Sequence, residues 1–272
     1  MRASAKILGF VILLLLVSTT VVWYAAFAED HRGTLMVSFL DVGQGDAIFV
    51  QAPSGRNVLI DGGPDDSVLR QLGGVMPFYD RSIDVVIATA QEPQKVGGLS
   101  SVLSRYRVAA IVRSAAQSSA PQVQSFDGAV AAAEQNGARL MVAQRGQVID
   151  LGDGAYIQIF LPDRDASQMA PADGCIMLKL VFGKTSFLFA CGSNGIENYL
   201  ATLDATKLKT DVLSATGDDP ELFVGFASPE FAVMPCGTVA TSSAFTKLQI
   251  KTFDTCDRAF TFVSDGQTIS LR

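Results

Sequence analysis

Two short apolar segments, each followed by aspartate and glycine, most constrain how this chain can fold. The first, Thr34–Leu40, alternates like a strand and leads into Asp41–Asp46. The second, Asn57–Asp61, ends at Gly62-Gly63 and follows a hairpin loop at Pro53–Gly55. Aspartates at strand ends usually accept hydrogen bonds within turns, so the pattern predicts a β-rich start to the fold.

Helical and strand patterns continue along the chain and predict the fold class. Helices are expected over Asp66–Gly74, Gly98–Tyr106, Gln122–Asn136 and near Glu221–Ala227. Further strands are predicted over Asp84–Ala88, Val108–Val112, Gln147–Leu151, Tyr156–Leu161, Cys175–Phe182, Thr185–Cys191, Asp211–Ala215, Phe231–Met234 and Ile250–Phe253, with a closing hairpin around Asp265-Gly266. A β-rich half followed by β-α units predicts an α+β (α/β) fold, a four-layer αββα sandwich with helices outside two sheets.

The N-terminal 28 residues form a separate segment. Ile7–Ala28 contains 22 residues without a charge, enough to cross a bilayer as a helix. Arg2 and Lys6 precede it, so the positive-inside rule predicts a cytoplasmic N-terminus and an extracytoplasmic domain over residues 29–272. Cleavage after Ala28, which follows a small-x-small pattern, is the alternative and would release a secreted domain.

Composition and charge narrow the possible functions. Apolar residues make up 49% of the 272 residues and charged residues 18%, which excludes a disordered chain. The net charge is −6 overall, and it is −8 for residues 29–272 because Arg2 and Lys6 lie outside that range. A surface that follows a nucleic-acid backbone needs a dense set of basic groups, so tight nucleic-acid binding is not expected.

Ordered motifs carry a resemblance to a known family. The run Ser38–Ala47 resembles the opening motif of the hydrolase domain in ComEC-type competence proteins, and Val58–Gly63 resembles the next strand with its aspartate, Asp61. The stretch Phe260–Gly266 is similar to the end of that domain. The resemblance covers residues 35 to 272 and implies a metallo-β-lactamase fold.

At the metal-binding turn implied by this resemblance, the expected ligands are replaced. Active relatives carry Thr-His-x-Asp-x-Asp-His-x-Gly-Gly. Counted from Thr89, this chain has Ala90 for the first histidine, Glu92 and Gln94 for the two aspartates, and Lys95 for the last histidine. The two glycines of the motif are retained.

Two later motifs of the family are also altered. A Thr-Gly-Asp that helps to hold metal corresponds to Cys191-Gly192-Ser193, and a His-His-Gly corresponds to Gly217–Asp219, with Asp218 in its middle. The single histidine, His31, lies beside the N-terminal segment, so a Ser-His-Asp arrangement is excluded. The family would use Zn²⁺ or Mn²⁺ to activate water, whereas this chain is expected to have no catalytic residues, no bound metal and no other cofactor.

Lys95 predicts that an internal ion pair occupies the place of the metal ion. Lys95 brings a positive charge to the place of a cation and is expected to pair with Asp61 or Glu92. The degenerate pocket is predicted to comprise Asp41, Asp46, Asp61, Ala90, Glu92, Gln94, Lys95, Ser193 and Asp218. An alternative is a Mg²⁺ or Ca²⁺ site made only of oxygens, from Asp41, Asp46, Asp61, Glu92, Asp218 and Asp219.

The four cysteines, Cys175, Cys191, Cys236 and Cys256, leave several possibilities open. They could form two disulfides, remain buried thiols or hold a metal through four thiolates. For the whole protein, we expect a membrane-anchored pseudoenzyme that binds a protein or small-molecule partner. An active phosphodiesterase or nuclease with a rebuilt metal site is the alternative, and a component of a DNA-uptake apparatus is a third possibility.

Overall fold

The computed structural model describes residues 9–20, 33–190, 200, 202, 205–215, 219–236, 244–256 and 258–272. Its contacts divide the chain into residues 1–32 and residues 33–272. In the first unit, residues 9–20 form helix α1. The other residues of the predicted span Ile7–Ala28 lie outside the described residues. Among the helices described, none is both long enough and apolar enough to cross a membrane.

The described residues of the second unit form fifteen strands and the remaining helices. In chain order they are β1 (Leu35–Phe39), β2 (Ile48–Gln51), β3 (Asn57–Ile60), α2 (Ser67–Val75), β4 (Ser82–Ala88), α3 (Pro93–Val96), α4 (Leu99–Arg105), β5 (Arg107–Arg113), α5 (Pro121–Gln135), β6 (Arg139–Val142), β7 (Val148–Gly152), β8 (Ala155–Ile159), β9 (Leu178–Phe182), β10 (Thr185–Phe189), α6 (residues 205–208), β11 (Val212–Ser214), α7 (Glu221–Ala227), β12 (Phe231–Met234), α8 (Ala244–Lys247), β13 (Lys251–Asp254), β14 (Phe260–Ser264) and β15 (Ile269–Leu271).

The strands form two sheets. The first has the order β15-β14-β1-β2-β3-β4-β5-β6, and the second has the order β13-β12-β11-β10-β9-β8-β7. Strands β1 and β3 are both antiparallel to β2, and β3 to β6 are parallel. The ends of β1, β3, β4 and β5 therefore lie along one edge of the first sheet, here the upper edge. The same strands begin along the opposite, lower edge.

Apolar packing gives four layers. Facing strands of the two sheets share one core, which includes Val37 and Ile60 from the first sheet and Ile157 and Phe187 from the second. The outer face of the first sheet packs against α2, α4 and α5. The outer face of the second sheet packs against α7 and α8. The αββα sandwich predicted from the strand and helix pattern is thus confirmed for the described residues.

Strand β6 and helix α3 are among the elements that the sequence patterns missed. Strand β6, Arg139–Val142, follows α5 after a tight turn at Gly137 and pairs parallel to β5. Its side chains are only partly buried because it is an edge strand, so its apolar pattern is weak. Helix α3, Pro93–Val96, is a single turn within the segment predicted to be a loop.

Candidate functional site

Three loops meet at the upper edge, after β1, β3 and β4. The Gly62 N–H donates to the Lys95 carbonyl at 2.7 Å, and the Gly63 N–H donates to the Asp46 carbonyl at 2.8 Å. The Gly98 N–H donates in turn to the Gly63 carbonyl at 3.1 Å. These backbone hydrogen bonds link the three loops directly to one another.

The retained Gly97-Gly98 pair is required by this packing. A Cβ atom on Gly97 would lie 2.0 Å from the Pro64 carbonyl oxygen, and one on Gly98 would lie 2.3 Å from the Asp65 carbonyl oxygen. No side chain can be accommodated at either distance. The close approach of the backbone explains this glycine pair without reference to a metal.

Asp61 is the buried carboxylate of the site. It is 1% exposed and adopts a positive φ of 58° directly after β3, which directs it towards the end of β4. Its Oδ1 accepts the Thr89 backbone N–H at 2.7 Å, and its Oδ2 accepts the Thr89 hydroxyl at 2.5 Å. Burial raises the pKa of Asp61 to about 6, although the neighbouring Lys95 ammonium and the Thr89 hydroxyl act in the opposite direction.

The Lys95 ammonium lies between two carboxylates. It forms an ion pair with Asp46 Oδ2 and lies 3.5 Å from Asp61 Oδ2. The side chains of Lys95 and Asp46 are 23% and 15% exposed, so the pair is partly shielded from water. Burial alone would lower the pKa of Lys95, but Asp46, Asp61 and, more weakly, Glu92 raise it above its usual value. The ion pair with Asp61 that the sequence predicts is present, and Asp46 rather than Glu92 is the second partner.

Ala90, which the resemblance places where a histidine ligand is expected, makes apolar contacts. The residue is 3% exposed and belongs to an apolar cluster with Phe160, Leu161 and Met177. The preceding residue, Thr89, accepts the Ile176 N–H at 2.7 Å and so connects the turn to the second sheet. This position now serves to join the two sheets.

A polar pair beside the turn was missed by the sequence analysis. Gln91 is fully buried, and its Oε1 accepts from Arg113 Nη2 at 2.8 Å. The other side of the guanidinium donates to Asp127 Oδ1 at 2.5 Å, and the group lies 5.5 Å from the Phe126 ring centre. Among the described residues, Gln91 Nε2 has no hydrogen-bond partner. Nothing in the local sequence marks this pair, because Arg113 reaches the turn only through the parallel pairing of β4 and β5.

The other predicted pocket residues do not share one environment. The Asp41 carboxylate accepts the Gly43 N–H at 3.3 Å within its own turn. Gln94 is exposed, and its backbone carbonyl would lie 2.4 Å from a Cβ on Gly45. Ser193 and Asp218 lie outside the described residues. The structure therefore brings together Asp46, Asp61, Ala90, Glu92 and Lys95 in one turn region, with Asp41 and Gln94 on the joining loops.

The described residues of the site do not fit a divalent metal ion. Both carboxylate oxygens of Asp61 already accept hydrogen bonds from Thr89, and the Lys95 ammonium faces one of them. Among the described residues, the carboxylates of the upper edge do not converge on a common point. The described members of the oxygen-only Mg²⁺ or Ca²⁺ alternative are therefore not arranged as that alternative requires.

The cysteines form disulfides. Cys236, after β12, is bonded to Cys256, after β13, and Cys175 is also disulfide-bonded. Cys191 lies outside the described residues. Cys236, Cys256 and Asp254 lie close enough to share an ion, but the two sulfur atoms are bonded to each other. The alternatives of a four-thiolate site and of buried thiols are therefore wrong, because a disulfide sulfur is not a thiolate.

Three solved structures show which fold this is. The chain matches the metallo-β-lactamase fold protein YhfI from Bacillus subtilis over 80% of its own length and 95% of that chain, at 11% identity and a TM-score of 0.51. It matches Igni18, a metallo hydrolase from Ignicoccus hospitalis, over 84% and 98%, at 13% identity and a TM-score of 0.53. It matches Zn²⁺-bound PqqB from Methylobacterium extorquens over 83% and 99%, at 12% identity and a TM-score of 0.52.

These similarities establish the metallo-β-lactamase fold. At such low sequence identity the activity of a neighbour cannot be assigned to this chain, because one fold carries many functions. No protein-family model matches the sequence, and no curated protein matches it. The function of this chain depends on the chemistry of its own site.

Proposed function

We propose that this protein is a metal-independent binding protein built on the metallo-β-lactamase fold. The observation that carries the proposal is the Lys95 ammonium between Asp46 and Asp61. A fixed positive charge there would repel a divalent cation at short range, and it neutralises the two carboxylates that would otherwise attract one. An internal ion pair thus replaces the metal as the group that holds the loops in register.

The binding surface is proposed at the upper edge, around the turn from Ala90 to Lys95. A groove of about 440 Å³ next to it is lined by Arg113, Ser114, Gln117, Ser118 and Asp127, together with apolar groups of β6. The groove combines a guanidinium, hydroxyls and an apolar wall, a mixture typical of sites for small molecules or peptide segments. The partner is accordingly proposed to be a protein or a small molecule.

Membrane attachment through residues 7–28 is part of the proposal. In α1, the large apolar side chains from Phe10 to Val17 are all exposed, with values of 66% for Phe10 and 61% for Leu16. A continuous run of exposed apolar side chains on a helix is unfavourable in water and favourable in lipid. The charges before and after residues 7–28 support a cytoplasmic N-terminus and an extracytoplasmic domain.

Kinship with the ComEC-type hydrolase domains is also proposed, on the motifs Ser38–Ala47 and Val58–Gly63. These motifs build β1 with its loop and β3 with Asp61, which are two of the three loops at the site. The kinship concerns ancestry and scaffold only. It does not imply that this chain binds DNA, because the net charge of the chain is −6.

Metal analysis of the purified full chain tests the proposal. We expect no stoichiometric Zn or Mn by elemental analysis, and no rise in melting temperature when either ion is added. An ion at about 100 times its dissociation constant would raise the free energy of unfolding by about 2.7 kcal/mol, which is easily seen. Stoichiometric metal with a phosphodiesterase activity lost on chelation would establish the alternative, an active hydrolase with a rebuilt site.

Partner binding needs its own test. Affinity capture is compared between the native chain and a variant in which Arg113 and Gln117 are replaced by alanine, with Lys247→Ala on α8 as a control. We expect partners of the native chain and of Lys247→Ala to match, and the double variant to lose them. Recovery of the same partners by all three would separate binding from this groove.

A further inference from the structure

The lower edge of the first sheet carries a cluster of exposed arginines. Arg81, Arg107 and Arg139 stand at the beginnings of β4, β5 and β6, and Arg105 ends α4 beside them. The Arg107 N–H donates to the Arg81 carbonyl at 2.9 Å, so these two positions are direct neighbours. Glu134, near the end of α5, supplies one exposed carboxylate to the same region. Parallel strands begin on one edge, which gathers charges that are far apart in the sequence.

Two aromatic side chains project from the same edge. Phe78 is 86% exposed and Tyr79 is 65% exposed, and their rings pack edge to face at 5.4 Å. They occupy a turn closed by a bond from the Asp80 N–H to the Pro77 carbonyl at 2.9 Å. No described side chain outside α1 is a more exposed large hydrophobic group than Phe78.

The turn that presents these rings is held firmly. The Asp80 carboxylate accepts the Ser82 N–H at 2.9 Å, the Ser82 hydroxyl at 2.7 Å and the Asn57 side-chain amide at 2.8 Å. The Asp84 carboxylate accepts the Asn57 N–H at 2.8 Å. Both carboxylates therefore accept local hydrogen bonds, and these bonds fix the turn that carries the aromatic pair.

Lysines extend the basic surface onto the second sheet. The hairpin at Gly183-Lys184 packs on Gly266, whose carbonyl accepts the Lys184 N–H at 2.7 Å, and Gly266 follows the strand paired with the beginning of β1. A cleft of about 310 Å³ next to this hairpin is lined by Lys179, Lys184 and Lys209 with Thr210 and Asp211. The Asp211 carboxylate is engaged by the Ser186 N–H at 2.7 Å.

The opposite, upper edge is acidic. It carries Asp41, Asp46, Asp61, Asp65, Asp66 and Glu92, together with the cations Lys95 and Arg113 described above. The basic groups of the domain are therefore concentrated on the first sheet around Arg81 and Arg107, while the hairpin turns β7–β8 and β14–β15 add the exposed acids Asp150, Asp153 and Asp265 to the same edge. Such a distribution orients a protein towards an anionic surface by its basic end.

The connection to the N-terminal segment leaves from the basic edge. Gly33, the first described residue of the domain, donates its N–H to the Pro53 carbonyl at 3.1 Å in the β2–β3 hairpin, and β1 begins two residues later. We propose that the lower edge, with Phe78, Tyr79, Arg81, Arg107 and Lys184, docks on a bilayer containing anionic phospholipids. The inference rests on the proposed membrane attachment and adds a defined contact face to it. The aromatic pair would enter the headgroup region, and the basic groups would contact lipid phosphates.

Tryptophan quenching tests the contact face on the full chain. The one native tryptophan, Trp23, is replaced by phenylalanine, and Phe78→Trp is introduced as the probe. The chain is reconstituted in vesicles of phosphatidylcholine or of phosphatidylcholine with phosphatidylglycerol, each with brominated acyl chains. The matched control is Leu222→Trp, half exposed on α7, which begins after β11 at the opposite edge.

We expect the tryptophan at position 78 to be quenched and blue-shifted in the anionic vesicles, less so in the neutral ones, and the tryptophan at position 222 to be unaffected. Adding Arg81→Gln and Arg107→Gln should lower the ratio of docked to undocked domain about 30-fold, at about fivefold for each charge. Quenching at position 78 no greater than at position 222, or equal in both lipids, would overturn the inference.

Flotation of the same samples separates this result from the anchor. A chain that floats with both lipids at high salt, but shows no quenching at position 78, retains the proposed attachment and loses the contact face. A chain that does not float with neutral vesicles contradicts the anchor, and the quenching in anionic vesicles then decides on the contact face by itself. The two proposals therefore fail in different experiments.

Discussion

Replacing Lys95 by methionine should reveal whether the ion pair has taken over the structural role of a metal. The change keeps the length of the side chain and removes its charge, leaving Asp61 buried and Asp46 mostly buried with no cation between them. Removing one member of a buried ion pair costs about 3–5 kcal/mol. Since Lys95 is 23% exposed, we expect a smaller loss, about 2–4 kcal/mol, in the free energy of unfolding at about pH 8.

The loss should depend on pH through Asp61. Its folded pKa of about 6 lies above the value of 3.8 for the free side chain, so the folded state binds this proton more tightly. Its contribution to stability is complete below the unfolded pKa and is lost as the pH rises through the folded pKa. Because Lys95 lowers the pKa of Asp61, the variant raises it further. The cost of Lys95→Met should therefore be smaller at about pH 5, where Asp61 is protonated in the variant, than at about pH 8.

Chemical denaturation of the native chain and the variant at both pH values measures this loss of unfolding free energy and its pH dependence. Lys247→Met is the matched control, because Lys247 pairs with Glu221 at 2.7 Å while both side chains are more than half exposed. That pair should contribute less than about 1 kcal/mol. Adding Asp61→Asn to Lys95→Met should recover stability at about pH 8, since the amide can still bond to Thr89. A loss below about 1 kcal/mol, or an equal loss at both pH values, would show that Lys95 does not offset the buried charge of Asp61.

Two further substitutions test the packing of the same loops by denaturation. Gly97→Ala places a Cβ 2.0 Å from the Pro64 carbonyl oxygen and should cost about 3 kcal/mol or more, whereas Gly73→Ala in α2 meets nothing within 4 Å and should be neutral or stabilising by up to about 1 kcal/mol. Equal effects of the two would contradict the close approach. Thr89→Val removes the hydroxyl donor to Asp61, so it should raise the pKa of Asp61 and cost about 1–2 kcal/mol at about pH 8, with less cost at about pH 5. An unchanged pH dependence of stability would show that this hydroxyl does not act on Asp61.

Much of the scaffold follows from local sequence, because strands and tight turns leave short-range signals. The alternation of Thr34–Leu40, the Asp-Gly-Gly after β3 and the later β-α units predict the two sheets and the outer helices. The weakly patterned edge strand β6 and the single-turn helix α3 escape such signals, since their stability comes from neighbours. The absence of imidazole from the metal turn is likewise a property of the composition alone.

The tertiary structure decided the chemistry of the turn. Lys95 pairs with Asp46 as well as Asp61 because the loop after β1 lies across the end of β3, 49 positions away in the chain from the lysine. Ala90 is fixed by apolar contacts from the second sheet, and Gln91 by Arg113 from β5. The basic lower edge has the same origin: parallel strands bring distant arginines to one edge. A sequence determines which groups are available, and the direction in which its strands run determines which of them meet.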